Sequence, residues 1–163
     1  ARWNVIVQQT MMAQWDFKPG PGQRIWTDAW DGYPASRARL TRFLAERKIN
    51  NTLVIGGDIH TNAVGNVKVD FDDPTSPVVA SEICGTSISS QGNSQAELDA
   101  ALPDNPHILL ADTRHRGYAV MELGPQRATA ALRMIDSEKT RTSTVSTQAT
   151  FTVQAGRPGV QKA

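Results

Sequence analysis

Residues Thr52–Asn62 read TLVIGGDIHTN. A short apolar run stops at two glycines, and Asp58, His60 and Asn62 then follow at alternate positions. Apolar residues bounded by glycine predict a buried strand that ends at an opening. Glycine there removes side chains where another part of the molecule must come close. If the backbone stays extended beyond the strand, Asp58, His60 and Asn62 project to one side. A carboxylate, an imidazole and an amide converging at a strand end suit Ca²⁺, Fe, Zn²⁺ or Mn²⁺. The plainer reading has Asp58 capping a turn and His60 satisfied within a loop.

The segment before this strand, PASRARLTRFLAERK from Pro34, predicts a helix with proline in its first turn. Leu40, Phe43 and Leu44 mark its inner face, Arg37 and the other charged residues mostly cover the rest, and Ser36 is a candidate cap. Asn50-Asn51 is expected to end it. A helix running directly into a core strand, with polar residues just past the strand, is the grammar of a layered α/β protein. Further upstream, WNVIVQQT at Trp3–Thr10 predicts another strand. Met11, Met12, Ala13 and Trp15 either line a pocket or pack under a loop. KPGPG at 18–22 predicts a turn or mobile loop. In WTDAWDGY, Asp28 or Asp31 suits a metal or an arginine, although Asp31-Gly32 is equally a turn signal.

After Asn62, Val67, Val69 and Phe71 alternate with Lys68 and Asp70, which predicts a strand with one solvated side. VVASEI at 78–83 follows without an intervening helix, so antiparallel pairing is expected. CGTSISSQGNSQ is a long polar loop containing Cys84, Thr86 and Ser87, with Glu82 just before it. Cys84 has no basic neighbour and reads as a packed thiol. A short helix at Gln95–Leu102 precedes His107 and the strand ILLAD. His115 lies in a polar turn. YAVMEL and ATAALRMI form a hairpin across GPQ, and TSTVSTQATFTV makes a Thr-rich last strand. The organisation expected is one domain over 1–153 and a flexible tail over 154–163.

The 163 residues suffice for one ordinary core. Formal net charge is +1. Of the 17 basic residues, Lys139, Arg141, Arg157 and Lys162 follow the last acid, Glu138, so the body carries 13 against 16 acids. That balance argues against a nucleic-acid surface. One cysteine excludes an intrachain disulfide and leaves the redox compartment open. No apolar run reaches membrane-span length. The start at Ala1, already close to a core strand, predicts a processed or trimmed chain or a piece of a longer one.

Four landmarks in order, WNVIVQQTMM, DAWDGYPASR, GGDIHTN and NPHILLAD…RGY, resemble the C-terminal part of the PhoD-like family of alkaline phosphatases and phosphodiesterases. That family is similar to the calcineurin-like metallophosphoesterases. The resemblance implies an α/β fold: half of a four-layer β-sandwich with flanking helices, its mixed sheet becoming antiparallel toward the C-terminus. It implies a dinuclear centre, Fe³⁺ with Ca²⁺, with Zn²⁺ or Mn²⁺ as alternatives. Asp58 would serve one metal and His60 the other. The family's remaining ligands, a cysteine among them, lie upstream of this segment, and Cys84 does not match that cysteine. The resemblance therefore implies an N-terminal half, as a separate or missing polypeptide. It also implies a phosphate ester substrate and a periplasmic or extracellular location. Asn62 and His115 are the candidate catalytic residues: Asn62 near a substrate oxygen or behind a ligand, His115 as proton donor to a leaving group. His107, Tyr33 and Arg37 are weaker candidates for the site. Three other readings stay open: a metallohydrolase for nucleotides or another ester, a β-rich module that takes Ca²⁺ without catalysis, and an inert fragment that keeps the fold and has lost the site.

Overall fold

The computed structural model describes residues 1–163. Its first sheet contains β1 (Asn4–Val7), β2 (Thr52–Gly56), β3 (Asn62–Lys68), β4 (Val78–Cys84) and β5 (Ile108–Asp112), in the spatial order β1-β2-β4-β3-β5. β1, β2 and β4 run parallel, and β3 is antiparallel to both β4 and β5. The second sheet is wholly antiparallel: β6 (Arg116–Leu123), β7 (Arg127–Ile135), β8 (Val145–Gln154) and β9 (Gln161–Lys162), side by side in chain order. This is the α/β architecture expected, with a mixed sheet giving way to an antiparallel one toward the C-terminus.

Side-chain alternation makes three layers of these elements. Val54, Ala63, Val67, Ala80 and Cys84 pack with Leu44 of α1 (Pro34–Glu46), Leu98 of α2 (Gln95–Ala101) and the segment Met11–Trp15. From the other face of the same sheet, Leu53, Val64 and Ile83 pack on Ala130, Leu132 and Phe151 of the second sheet. Both faces of the first sheet are thus covered. That explains why β3 departs from the expected half-solvated strand: it ends at Lys68, and Lys68 is buried, its Nζ donating to the Asp73 carbonyl at 2.5 Å.

Helix α1 starts at Pro34 as predicted, without a side-chain cap. Leu44 is buried and Leu40 packs against the core, but Phe43 is exposed under the Arg47 guanidinium. Arg37, assigned to the polar cover, is buried. The helix ends before Asn50: Lys48 takes φ 50°, its N–H reaches the Ala45 carbonyl, and the Ile49 N–H reaches Leu44. This double bond back into the last turn satisfies carbonyls that would otherwise lack donors. The C-terminal residues also differ from the frayed end expected. Val160 is buried in the second cluster, and β9 pairs with β8.

Candidate active site

The strand β2 stops where the Thr10 backbone crosses it. A side chain at Gly56 would overlap the Thr10 carbonyl, so glycine is required there by close approach. The Gly57 N–H bonds the Gln9 carbonyl and the Gly85 N–H bonds that of Gly56, tying three segments at the strand end. Beyond it the chain does not remain extended. Asp58 has φ 68° and His60 φ 53°, so both lie in the left-handed region. Such conformations are uncommon outside glycine, with Asn, Asp and His the usual exceptions. The expected alternation is therefore replaced by a tight turn, which parts Asn62 from Asp58 and His60.

Asp58 and His60 line one cavity of about 380 Å³. Its wall comes from Thr10–Trp15, Trp26–Asp31 and the loop at 91–93. Asp28 and Asp31 also line it, and no lysine or arginine does. His60 Nδ1 lies 2.7 Å from the Gln91 carbonyl, which can only accept, so Nδ1 is the donor and the neutral tautomer this contact selects has its lone pair on Nε2. The Asp58 side chain makes no hydrogen bond within the chain.

Asn62 turns the other way. It is fully buried in β3, its Nδ2 donating to Gln148 and its Oδ1 accepting from the Thr86 N–H. His115 likewise stands outside the cavity wall, its Nδ1 2.8 Å from Asp112 Oδ2. Burial would raise the Asp112 carboxyl, but hydrogen bonds from His115, Arg114 and Gln148 outweigh it and hold the group below the ordinary range. The structure thus brings Asp58 and His60 together and leaves Asn62 and His115 behind the wall. Tyr33 is exposed outside it.

A buried polar network shapes the wall. Both oxygens of Glu82 accept backbone N–H groups, Met12 at 2.6 Å and Ala13 at 2.8 Å. Burial nevertheless pushes its carboxyl up to about 7, against the pull of those two bonds and of Arg37. Arg37 pairs with Asp31 at 2.5 Å and donates to the Met12 carbonyl and to Gln14. Asp31 in turn accepts the Trp15 N–H. His107 Nε2 donates to the Gln14 carbonyl at 2.6 Å, and its ring meets Phe71 edge-on. Burial lowers the His107 pKa despite that bond, which fits a neutral imidazole. Glu82, Asp31, Arg37 and His107 therefore clamp one segment. Cys84 donates to the Gly57 carbonyl, and burial raises its thiol well above the ordinary value, so it is an inert packed thiol.

On the other side of His60, Arg116 is buried with its guanidinium among oxygens. Nη1 donates to the His60 and Ser90 carbonyls and to Ser87 Oγ, and Nη2 to the Thr113 carbonyl. Gly92 sits where any Cβ would overlap Thr113 Oγ1 and the His60 carbonyl. Reading the sequence did not single out Gln91, Gly92 or Arg116. Gln91 acts through its backbone, which no residue type advertises.

Metal-binding capacity follows from the donor set. Asp58 and His60 offer a carboxylate and an imidazole, donor types that cations accept, but no group of three or more His, Cys, Asp or Glu assembles anywhere. A cation would normally use roughly four to six positions.

Comparison with known proteins agrees with these landmarks. Residues 1–132 match the family described as PhoD-like phosphatase. The chain is 35% identical over 165 aligned residues to alkaline phosphatase D of Bacillus subtilis (strain 168), covering 99% of this chain and 28% of that protein. The solved structure of PhoD superposes with a TM-score of 0.92 at 35% identity, over 100% of this chain and 32% of the other. The chain thus spans less than a third of the length of these relatives. On the family match and the superposition together, the chain belongs to the PhoD-like phosphatase family.

Proposed function

We propose that this chain supplies part of the metal-dependent active site of a phosphoric ester hydrolase acting on phosphate monoesters or diesters. The observation that carries the proposal is the convergence of Asp58 and His60 on one cavity that holds further carboxylates and no lysine or arginine. A phosphate anion entering that cavity alone would meet like charge, so the site requires cations before it accepts its substrate. Metal ions held there would neutralise phosphate charge and lower the pKa of water from about 15.7 towards 7. By family resemblance they are Fe³⁺ and Ca²⁺, with Zn²⁺ or Mn²⁺ as alternatives.

The chain's own residues then have separate tasks. Asp58 presents a carboxylate free of internal hydrogen bonds, and His60 presents Nε2 with its tautomer set by Gln91. The clamp on Met12–Trp15 fixes the opposite wall and limits water around the reacting ester. Asn62 and His115 act as supports: Asn62 holds Thr86 behind β2, and His115 binds Asp112. The remaining ligands come from an N-terminal portion, joined to this chain or supplied as a second polypeptide. The assembled enzyme works in the periplasm or outside the cell.

Elemental analysis and intact mass of the purified protein, followed by assays with p-nitrophenyl phosphate and its diester, test this reading. Iron and calcium retained by a complex of two polypeptides, with hydrolysis lost in Asp58→Asn and His60→Ala, are the expected results. Hydrolysis that survives both substitutions and a chelator would overturn it.

A further inference from the structure

The cavity has a second feature that metal chemistry does not use, an aromatic wall. Trp15 and Phe17 stack in parallel, 5.2 Å between centroids and 5° between planes, and both line the cavity. Trp26 completes that wall and is 57% exposed. Its indole N–H has no acceptor in the chain, and its ring is not covered by the core. The supporting segment is held firmly despite its KPGPG sequence. The Phe17 N–H bonds the Arg24 carbonyl at 2.8 Å, and Asp16 Oδ1 accepts the N–H groups of Lys18 and Arg24. Asn105, itself buried, brackets Asp16 with bonds in both directions, and Asp104 accepts the Gly20 N–H. Of the turn and the mobile loop that the sequence allowed, the segment is a hydrogen-bonded turn that carries these rings.

We propose that Phe17 and Trp26, with the buried Trp15 stacked against Phe17 as its support, form a stacking platform for a planar aromatic ring in the alcohol portion of the phosphate ester. Braced aromatics in a concave site bind flat π systems with little ordering cost, by offset stacking and burial. The ring faces the aromatic wall while the phosphate lies toward Asp58 and His60. Aryl esters and nucleotides share this chemistry. Calling the ring part of a phosphate ester rests on the function proposed above. The platform itself can be probed without metal or phosphate.

The probes are therefore the free alcohols: phenol, adenosine and glycerol. The 163-residue chain, treated with chelator, is titrated with each, and the indole N–H resonances are followed by NMR, Trp26 being assigned from Trp26→Phe. Phenol or adenosine should move the Trp26 signal at concentrations at least five-fold below those needed for glycerol. A response to phenol alone identifies an aryl site, and a response to adenosine identifies a nucleobase site. Trp26→Ala, at an exposed position, and Phe17→Leu, which keeps apolar bulk, should each reduce the preference at least three-fold. Equal response to all three alcohols, or a preference unchanged in both variants, overturns the platform. Neither result bears on whether the metal-loaded enzyme cleaves phosphate esters, so the two proposals fail separately.

Discussion

The Gln91 carbonyl lies 2.7 Å from His60 Nδ1 and so occupies that nitrogen, leaving Nε2 as the one open to the proposed metal. The main chain of a polar loop, more than the loop's side chains, controls this ligand. Replacing Gln91 with Ala should leave metal affinity within about two-fold, since the carbonyl remains. Gly92→Ala forces a Cβ into Thr113 and the His60 carbonyl and moves the loop. Loss of such an outer partner typically costs 10–100-fold in metal affinity. Titration of the assembled enzyme with its metals should show that loss for Gly92→Ala and not for Gln91→Ala.

Arg116 joins His60, Ser87, Ser90 and Thr113 from a buried position. Arg116→Ala leaves the buried Thr113 carbonyl without a donor and takes one of two donors from the His60 and Ser90 carbonyls, and should destabilise the chain by about 3 kcal/mol. Arg116→Lys should recover only part of this, because an ammonium cannot reproduce the planar fork. Urea unfolding measures the stability, and limited proteolysis should reveal cleavage within residues 85–93 first.

Asp31 and Arg37 form a buried ion pair under the cavity wall. Asp31→Ala strands the guanidinium and frees the Trp15 N–H, with an expected loss of about 3–5 kcal/mol. Removing both charges in Asp31→Asn/Arg37→Met should cost clearly less than the single change. A double-mutant cycle from chemical denaturation checks the coupling; additive effects would contradict it.

Glu82 makes stability depend on pH in a particular direction. Burial raises its carboxyl from 4.5 to about 7 on folding. The folded state therefore binds this proton more tightly. The associated stabilisation is complete below about pH 4.5 and disappears as pH rises through 7, a change of about 3 kcal/mol. His107, whose pKa is lowered by burial, works in the opposite sense and loses stability as pH falls through its ordinary range near 6.5. The difference between the parent chain and Glu82→Gln isolates the carboxyl. Between pH 5 and 8 the parent should lose stability relative to that variant; a flat difference would contradict the assignment.

Much of the architecture was legible because its signals are local. Pro34 opens α1, the glycines close β2, and Gly124–Gln126 turns β6 into β7. That Asp58 and His60 lie together at an opening was legible from the glycines that stop the strand just before them. Their backbone geometry was not, since alternate spacing implies a common side only for an extended chain and both residues adopt positive φ. Lys68 and Arg37 escaped for a different reason. Their burial depends on partners reached across short turns, the Asp73 carbonyl and the Asp31 carboxylate, whereas charge alone argues for the surface. The clamp on Met12 and Ala13 joins positions 70 and 69 residues apart, a distance over which no periodicity speaks.

The left-handed turn at Asp58 and His60 restricts how the site can change over time. Cysteine and glutamate are competent ligands in chemical terms, and exchanging ligands is the direct route to another metal. At φ 68° and 53° that route is largely closed, because few side chains other than Asn, Asp and His settle there readily. A lineage seeking a different ion would have to reach it through the surroundings, by altering neighbouring charge, loop position or the donors contributed from elsewhere. The backbone thereby narrows the residue types that suit these two positions for reasons independent of any ion they hold.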